Sequence, residues 1–411
     1  QMNHYTILID NNSSKKEFIQ SLLKGNCPEV LENFKDKNGL LFSSLTINKI
    51  IEEEDKRDHT ILSTEFQRLE TMSSGEQKKA LLYHLLDAKP DYIILDNPFD
   101  NLDVGFVEEL KSILKEHSST ITFIQFVSRK GDILSFIENF GKLDGDQLIE
   151  ISSIAQTDIS DSSYFKNGTI PPPPEKTPSL ENPLLQFKNV STSYGEKNIL
   201  RQINWTVQKS DFWQLIGPNG SGKTTILSMI IGDNPKAFGQ DIFLFGKRKG
   251  SGESVWEIKK NIGYYSPALN NKFNGRHSVE HMLISGLTDS VGLYTLPTEV
   301  QKRVIKEWLQ LLGLEKLKNT YFNKLSVGQQ RLVMTARAMV KHPPLLILDE
   351  PTAGMDDSSA GLLVSLVNKI ATDTHTAIIF VSHRKESGLE PKNIFRLQKT
   401  ATGSIGSETV A

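Results

Sequence analysis

Apolar runs of strand length, each ended by polar or acidic residues, punctuate the chain. Phe212 to Ile216 is one. The glycine-rich stretch Gly217-Pro218-Asn219-Gly220-Ser221-Gly222-Lys223-Thr224 follows it, and a helix-like run, Thr225 to Ile231, comes next. Leu345-Leu346-Ile347-Leu348 is a second run, ended by Asp349-Glu350-Pro351. A strand that is apolar throughout reads as buried on both faces of a parallel sheet. Its closing acids then lie at the C-terminal edge, where ligands sit in open α/β folds. Ala377 to Val381 is a third run, followed by Ser382-His383.

The glycine-rich stretch fits the phosphate-loop pattern G-x-x-x-x-G-K-[ST], in the strand-to-helix context that the pattern needs. Backbone N–H groups must turn inward to cradle phosphate oxygens, in conformations that a Cβ disfavours. Gly217, Asn219, Gly220, Ser221 and Gly222 supply that loop, and the helix N-terminus at Lys223, Thr224 and Thr225 adds partial positive charge. Lys223 is expected on the β- and γ-phosphates and the Thr224 hydroxyl on Mg²⁺. Asp349 is expected in the Mg²⁺ shell. Glu350 is expected to orient and deprotonate the attacking water.

The ordered motifs resemble those of ATP-binding-cassette (ABC) ATPases, with two nucleotide-binding domains in tandem. "GPNGSGKT" resembles the Walker A loop, "LSVGQQ" (from Leu325) the family signature and "LLILDEP" the Walker B strand. Ala353 to Asp356 resembles the D-loop, His383 the switch histidine, and Tyr194 the aromatic that stacks on adenine. The resemblance implies an α/β fold of two P-loop domains, each with a mixed, largely parallel sheet and a helical signature subdomain.

A first copy of the set lies upstream. Met72-Ser73-Ser74-Gly75-Glu76-Gln77 resembles the signature, Tyr92 to Asp96 the Walker B strand, and Asn101-Leu102-Asp103 the D-loop. Ser73 to Asp96 and Ser326 to Asp349 are both 23 residues apart, and Asp96 to Asp103 and Asp349 to Asp356 are both 7 apart. The period is long, so it marks duplicated domains rather than a solenoid.

The first copy departs where chemistry would need it to conform. Aligned by sequence, Asp10 replaces the first loop glycine, Lys15 the last and Glu17 the Mg²⁺-ligating threonine, while Lys16 remains as a surface charge. Asn97 stands for Glu350, and an amide accepts no proton from water. Arg129 stands for His383. The chain begins almost at this loop, so the preceding strands and an adenine-stacking aromatic are expected to be missing. Lys16 to Ser73 spans 57 residues against 103 from Lys223 to Ser326, so the first helical subdomain is expected to be reduced.

In the ABC family two such domains pair head to tail, each ATP lying between the Walker motifs of one and the signature of the other. Applied here, the resemblance implies one competent composite site. Tyr194, Gly217 to Thr225, Asp349, Glu350 and His383 form it, capped by Ser73, Gly75 and Gln77 of the first half. Lys223, Glu350 and His383 are the catalytic candidates, and Thr224 and Asp349 the metal ligands. The family's glutamine after the Tyr-rich strand is absent from Ile262-Gly263-Tyr264-Tyr265-Ser266-Pro267-Ala268-Leu269, which puts the usual coupling to a membrane permease in question. Phe243 to Glu253, Val255 to Lys260 and the missing glutamine resemble the molybdenum-transport (ModF-type) branch of bacterial tandem proteins.

With 411 residues the chain is long enough for two cores. A net charge of −2 gives no argument for a nucleic-acid partner. No apolar run reaches the roughly 18–20 residues of a bilayer span, and no signal peptide is visible. Gln1 ahead of Met2 reads as one extra residue before a native start. The single Cys27 rules out an intrachain disulfide. These features suit a cytoplasmic protein, or one held peripherally at the inner membrane.

The expected domains are 1–151, a degenerate nucleotide-binding domain; 152–183, an extended Ser- and Pro-rich linker containing Pro171-Pro172-Pro173-Pro174; 184–399, an intact domain; and 400–411, a frayed tail. The acidic run Glu52-Glu53-Glu54-Asp55 is expected to be a solvated face. The leading expectation is thus an Mg²⁺-dependent ATPase subunit of a transport system. The alternatives are a translation-type factor, a DNA-repair-type ATPase and a nucleotide-sensing scaffold. The short, weakly charged linker disfavours the first of these. The 103-residue interval is too short for the long coiled coil of the second.

Overall fold

A computed structural model describes residues 2–57, 61–62, 68–152, 164–165, 168–175, 180–273, 275–291, 296–384 and 386–411. Much of the expected linker therefore lies outside the described residues. The chain divides into two compact units, Gln1–Ile159 with Gly354–Asp357, and Ser160–Ala353 with Ser358–Ala411.

The first unit runs β1 (Tyr5–Leu8), α1 (Lys15–Leu23), β2 (Gly39–Phe42), α2 (Ser44–Arg57), α3 (Ser74–Asp87), β3 (Tyr92–Asp96), α4 (Val104–His117), β4 (Thr122–Val127), β5 (Asn139–Asp144) and β6 (Gln147–Ile151). Its sheet has the order β2-β3-β4-β1-β5-β6, parallel except for the closing β5/β6 hairpin. Side chains alternate across a strand, so an all-apolar strand feeds two cores. Ile93, Leu95 and Phe123 pack in one, while Tyr92, Ile94 and Ile124 pack in the other with Ile7 and Phe126.

The second unit runs β7 (Leu185–Tyr194), β8 (Lys197–Val207), β9 (Phe212–Ile216), α5 (Lys223–Ile231), β10 (Asp241–Leu244), β11 (Lys247–Arg248), α6 (Val255–Lys260) and β12 (Ile262–Tyr265). It continues through α7 (Val279–Ser285), α8 (Glu299–Leu311), α9 (Val327–Met339), β13 (Leu345–Asp349), α10 (Asp357–Asp373), β14 (Ala377–Ser382), β15 (Asn393–Gln398) and β16 (Ile405–Val410). Its main sheet, β12-β13-β14-β9-β15-β16, repeats the first unit's order position by position. A four-stranded antiparallel sheet, β11-β10-β7-β8, adds a layer with no counterpart among the described residues of the first unit. Both units are thus α/β, as expected.

Two expectations are corrected here. The tail is not frayed: Ile405–Val410 pairs antiparallel with β15 along its whole length, because six backbone positions find ladder partners there. The acidic run is not wholly solvated. Glu52, Glu53 and Asp55 are exposed, but Glu54 is 1% exposed and faces inward from α2. Its Oε1 accepts from Ile61 N at 2.7 Å and Leu62 N at 3.4 Å, and its Oε2 from Leu69 N at 3.1 Å. A buried carboxylate on α2 thus holds Ile61, Leu62 and Leu69, ahead of the first signature.

Candidate functional site

In the second unit β13, β14 and β9 are adjacent and parallel, so their C-terminal ends open at one edge. The loop after β9 enters α5 through Gly222, which caps the helix at φ 95°. Gly220 also has positive φ, at 69°. Only glycine takes such angles without cost. Lys223, 6% exposed, begins α5 and folds back over the loop. Its Nζ donates to Gly217 O at 2.6 Å and Pro218 O at 3.1 Å. The Ser221 hydroxyl is fully buried in the loop and finds no hydrogen-bond partner among the described residues. Thr224 is exposed on the first turn of α5, and Thr225 is half-buried beside it.

Asp349 ends β13 and Glu350 follows it. Burial, then the neighbouring Glu350 charge, push the Asp349 carboxyl from 3.8 up to about 6, while Tyr264, Lys223 and His383 pull the other way. Glu350 sits in the left-handed region at φ 51°, an uncommon conformation for a long side chain. Its Oε1 lies 2.5 Å from His383 Nε2, just past the end of β14. The strand ends are braced by Gln214 Nε2 donating to Ser382 Oγ at 2.9 Å. Tyr194, at the β7–β8 turn, exposes its ring, and its hydroxyl accepts from Asn234 Nδ2 at 2.8 Å. Lys236 Nζ stands 5.9 Å from the ring centroid.

The donor set fits Mg²⁺. A threonine hydroxyl and a carboxylate are hard oxygen donors, and a second carboxylate beside the first is relieved by a cation. Among the described residues no group of three or more His, Cys, Asp or Glu could hold a metal alone. The ion would therefore draw the rest of its shell from phosphate and water, as Mg²⁺ usually does.

The same edge of the first unit is built differently, and strand register corrects the sequence alignment by one residue. Asp96 pairs with Phe126 as Asp349 pairs with Val381. Val127 then matches Ser382, and Ser128 matches His383. Arg129, the expected counterpart, lies one residue further on. Leu8 pairs with Val127 as Ile216 pairs with Ser382, so Leu8 matches Ile216. Seven residues beyond each lie Lys15 and Lys223, the first residues of two nine-residue helices. Lys15, rather than Lys16, is therefore the retained lysine. Lys16 stands for Thr224, the expected Mg²⁺ ligand, and Glu17 for Thr225.

The contacts agree with this register. Lys15 Nζ lies 2.7 Å from Asp96 Oδ1. Asn97, at φ 43° like its counterpart Glu350, accepts on Oδ1 from Ser128 N at 3.0 Å. Its Nδ2 donates to Ser128 Oγ at 3.2 Å. Asp10 accepts from Asn12 N at 2.9 Å and has Lys142 Nζ at 3.5 Å. Lys16 itself is exposed.

The signature residues cap helices in both units. Ser73 caps α3 through a capping box with Glu76, and Ser326 caps α9 through one with Gln329. Gly75 meets its own unit's packing, since a Cβ there would stand 2.6 Å from the Phe106 ring. Gln77, expected at the nucleotide, donates its amide to Leu69 O at 2.8 Å and so braces the chain entering the signature. Sequence reasoning missed Glu54, Lys15 and one further contact: Tyr264 OH lies 3.4 Å from Asp349 Oδ2. Burial pushes the Tyr264 phenol up to about 12. A signal for it was available, since Tyr264 lies just ahead of the position where the glutamine is missing.

The profile of the ABC transporter family matches residues 200–353. The ABC transporter ATP-binding protein ModF of Escherichia coli (strain K12) is 37% identical over 336 residues, covering 78% of this chain and 68% of the relative. An uncharacterized ABC transporter ATP-binding protein of Schizosaccharomyces pombe, C323.04, is 30% identical, covering 77% and 65%. The chain thus spans about two thirds of these relatives' length. Among solved structures, that described as RNase-L Inhibitor aligns over 98% of this chain and 85% of its own, with TM-score 0.65 and 14% identity, a likeness of fold.

Proposed function

Because the chain belongs to the ABC transporter ATP-binding protein family, we propose that it binds and hydrolyses Mg–ATP at a single competent site carried by its second half. The observation that carries the reading is the Glu350–His383 contact of 2.5 Å beside Lys223 and Asp349. It sets a carboxylate base, an imidazole that holds it, and a phosphate-binding lysine at one sheet edge. The loop from Gly217 to Gly222, apart from Pro218, presents backbone N–H groups to the triphosphate, with Lys223 and Thr225 at the helix start. Tyr194 offers its exposed ring to adenine. Thr224 and Asp349 are the protein's ligands to Mg²⁺, which screens phosphate charge when bound. Glu350 accepts the proton of the attacking water, and His383 keeps its carboxylate aimed.

The first half is read as the partner surface. Its signature, at Ser73 and Gly75, completes the competent site head to tail, within one chain or between two. Ser73→Arg is expected to cripple hydrolysis although Ser73 is remote in sequence, whereas Ser326→Arg, which would face the eroded loop, costs much less. Equal losses would overturn the pairing. Gly75→Asp is a poorer test, since its side chain would strike Phe106.

The domains are read as 1–151 and 184–399 joined by 152–183. A membrane permease is read as the larger partner because the relatives are named as transporter proteins. Molybdate as cargo rests on the sequence resemblance alone, and the cytoplasmic face of a membrane follows from the permease reading. Among the described residues no helix is long and apolar enough to cross a membrane. Capture by Glu350→Gln protein of ribosomal proteins and no permease would replace this with the translation-type reading.

A further inference from the structure

We propose that Tyr264 is a positioning residue for the Asp349 carboxylate, so that a phenol on β12 orients the metal ligand in a chain without the family's glutamine. The inference rests on the ATPase reading above and names a residue of the same site.

β12 lies beside β13 in parallel register, Tyr264 opposite Ile347 and Tyr265 opposite Leu348. Successive side chains leave opposite faces of a strand, so the two tyrosines part. Tyr265 is fully buried, and its hydroxyl accepts from Arg331 Nη1 at 2.7 Å. Arg331 Nη2 donates in turn to Ala353 O at 3.2 Å, which ties the strand end to α9 and to the loop after Glu350. Gly263 allows this close seat, since a Cβ there would stand 2.2 Å from Ala338 O. The backbone on either side of Tyr264 is therefore held.

From that anchor Tyr264 reaches the other way. Its hydroxyl donates to Asp349 Oδ2 at 3.4 Å. At 3.4 Å the bond is long for an O–H···O pair. A donor on one carboxylate oxygen fixes the rotamer and leaves the other oxygen for the metal shell. Partners of this kind, one bond behind the ligand, typically change metal affinity by 10–100-fold when lost.

The test uses the full chain with a non-hydrolysable ATP analogue, titrated with Mn²⁺ and followed by electron paramagnetic resonance. Tyr264→Phe keeps the ring and removes the hydroxyl. The expected result is an apparent Mn²⁺ Kd raised about tenfold or more, with nucleotide affinity in EDTA and thermal midpoint unchanged. The Mg²⁺ concentration for half-maximal hydrolysis should rise in step, with KM for ATP at saturating metal unchanged. A Tyr264→Phe protein that binds Mn²⁺ within about twofold of the wild type would overturn the inference and leave the ATPase reading standing. A wild type whose nucleotide binding ignores metal would overturn both.

Discussion

Lys15 Nζ lies 2.7 Å from Asp96 Oδ1, where the second half has Lys223 near Asp349. The first half thus keeps its loop lysine and its strand-end carboxylate but closes them on each other. Lys16 brings a further positive charge to the position of Thr224, the proposed metal ligand. Asp96→Ala is expected to cost about 1 kcal/mol or less, as for a partly exposed ion pair, and to leave ATP turnover unaltered. Asp349→Ala should abolish Mg²⁺-dependent turnover. Equal effects in an ATPase assay would contradict the assignment.

Glu350 and Asn97 share a left-handed backbone, at φ 51° and 43°. Asparagine takes that region more readily than glutamate, so the proposed base is held at a cost of about 1–2 kcal/mol. Glu350→Asn is therefore expected to be at least as stable as the wild type in thermal melts. Glu350→Gln should keep nucleotide binding and slow hydrolysis by about 10²–10⁴-fold. A Glu350→Gln protein with near-normal turnover would remove Glu350 from the chemistry.

Asp349 gives a pH dependence with a definite sign. Its folded pKa of about 6 lies above its ordinary 3.8, so the fold favours the protonated carboxyl. Ionisation costs stability as pH rises from about 4 to 6, and the full cost, at most about 3 kcal/mol, is present above that. Asp349→Asn is expected to raise the metal-free melting temperature at pH 7.5 and change little at pH 4. A variant that melts lower at pH 7.5 would refute the sign.

Glu54 holds three backbone N–H groups ahead of the first signature. Glu54→Ala should destabilise the chain by on the order of 3 kcal/mol by leaving buried donors unpaired. The exposed neighbour Glu53→Ala should stay within about 0.5 kcal/mol. Urea denaturation of both reads the difference, and similar midpoints would show that Glu54 is solvated after all.

The motifs were legible because their chemistry needs fixed residue types at fixed intervals, so Ser73 to Asp96 and Ser326 to Asp349 could be matched by counting. The register of the eroded loop was not. Lys15 and Lys16 are adjacent and identical in type, and only the pairing of Leu8 with Val127 selects between them. By sequence, Phe126-Val127-Ser128-Arg129 aligns with Phe380-Val381-Ser382-His383, and only the pairing of Asp96 with Phe126 brings Ser128 opposite His383 instead. Glu54 looked like its acidic neighbours because charge along a sequence does not say which face of α2 turns inward. The last strand escaped notice because Ile405–Val410 has few apolar residues and is held by the β15 ladder. Tyr264 was visible as a residue, but its reach to Asp349 depends on two strands brought side by side.

One nucleotide site per chain, with Lys223 as its lysine, is the central expectation. Calorimetry of the full chain with Mg²⁺ and a non-hydrolysable ATP analogue tests this most directly. The expected stoichiometry is one, unchanged in Lys15→Ala and Lys16→Ala. In Lys223→Ala the affinity should fall roughly ten- to a hundredfold, as for a lost charge-assisted contact of about 1.5–3 kcal/mol. Two equivalent sites, or a Lys223→Ala protein that binds as tightly as Lys15→Ala, would contradict it.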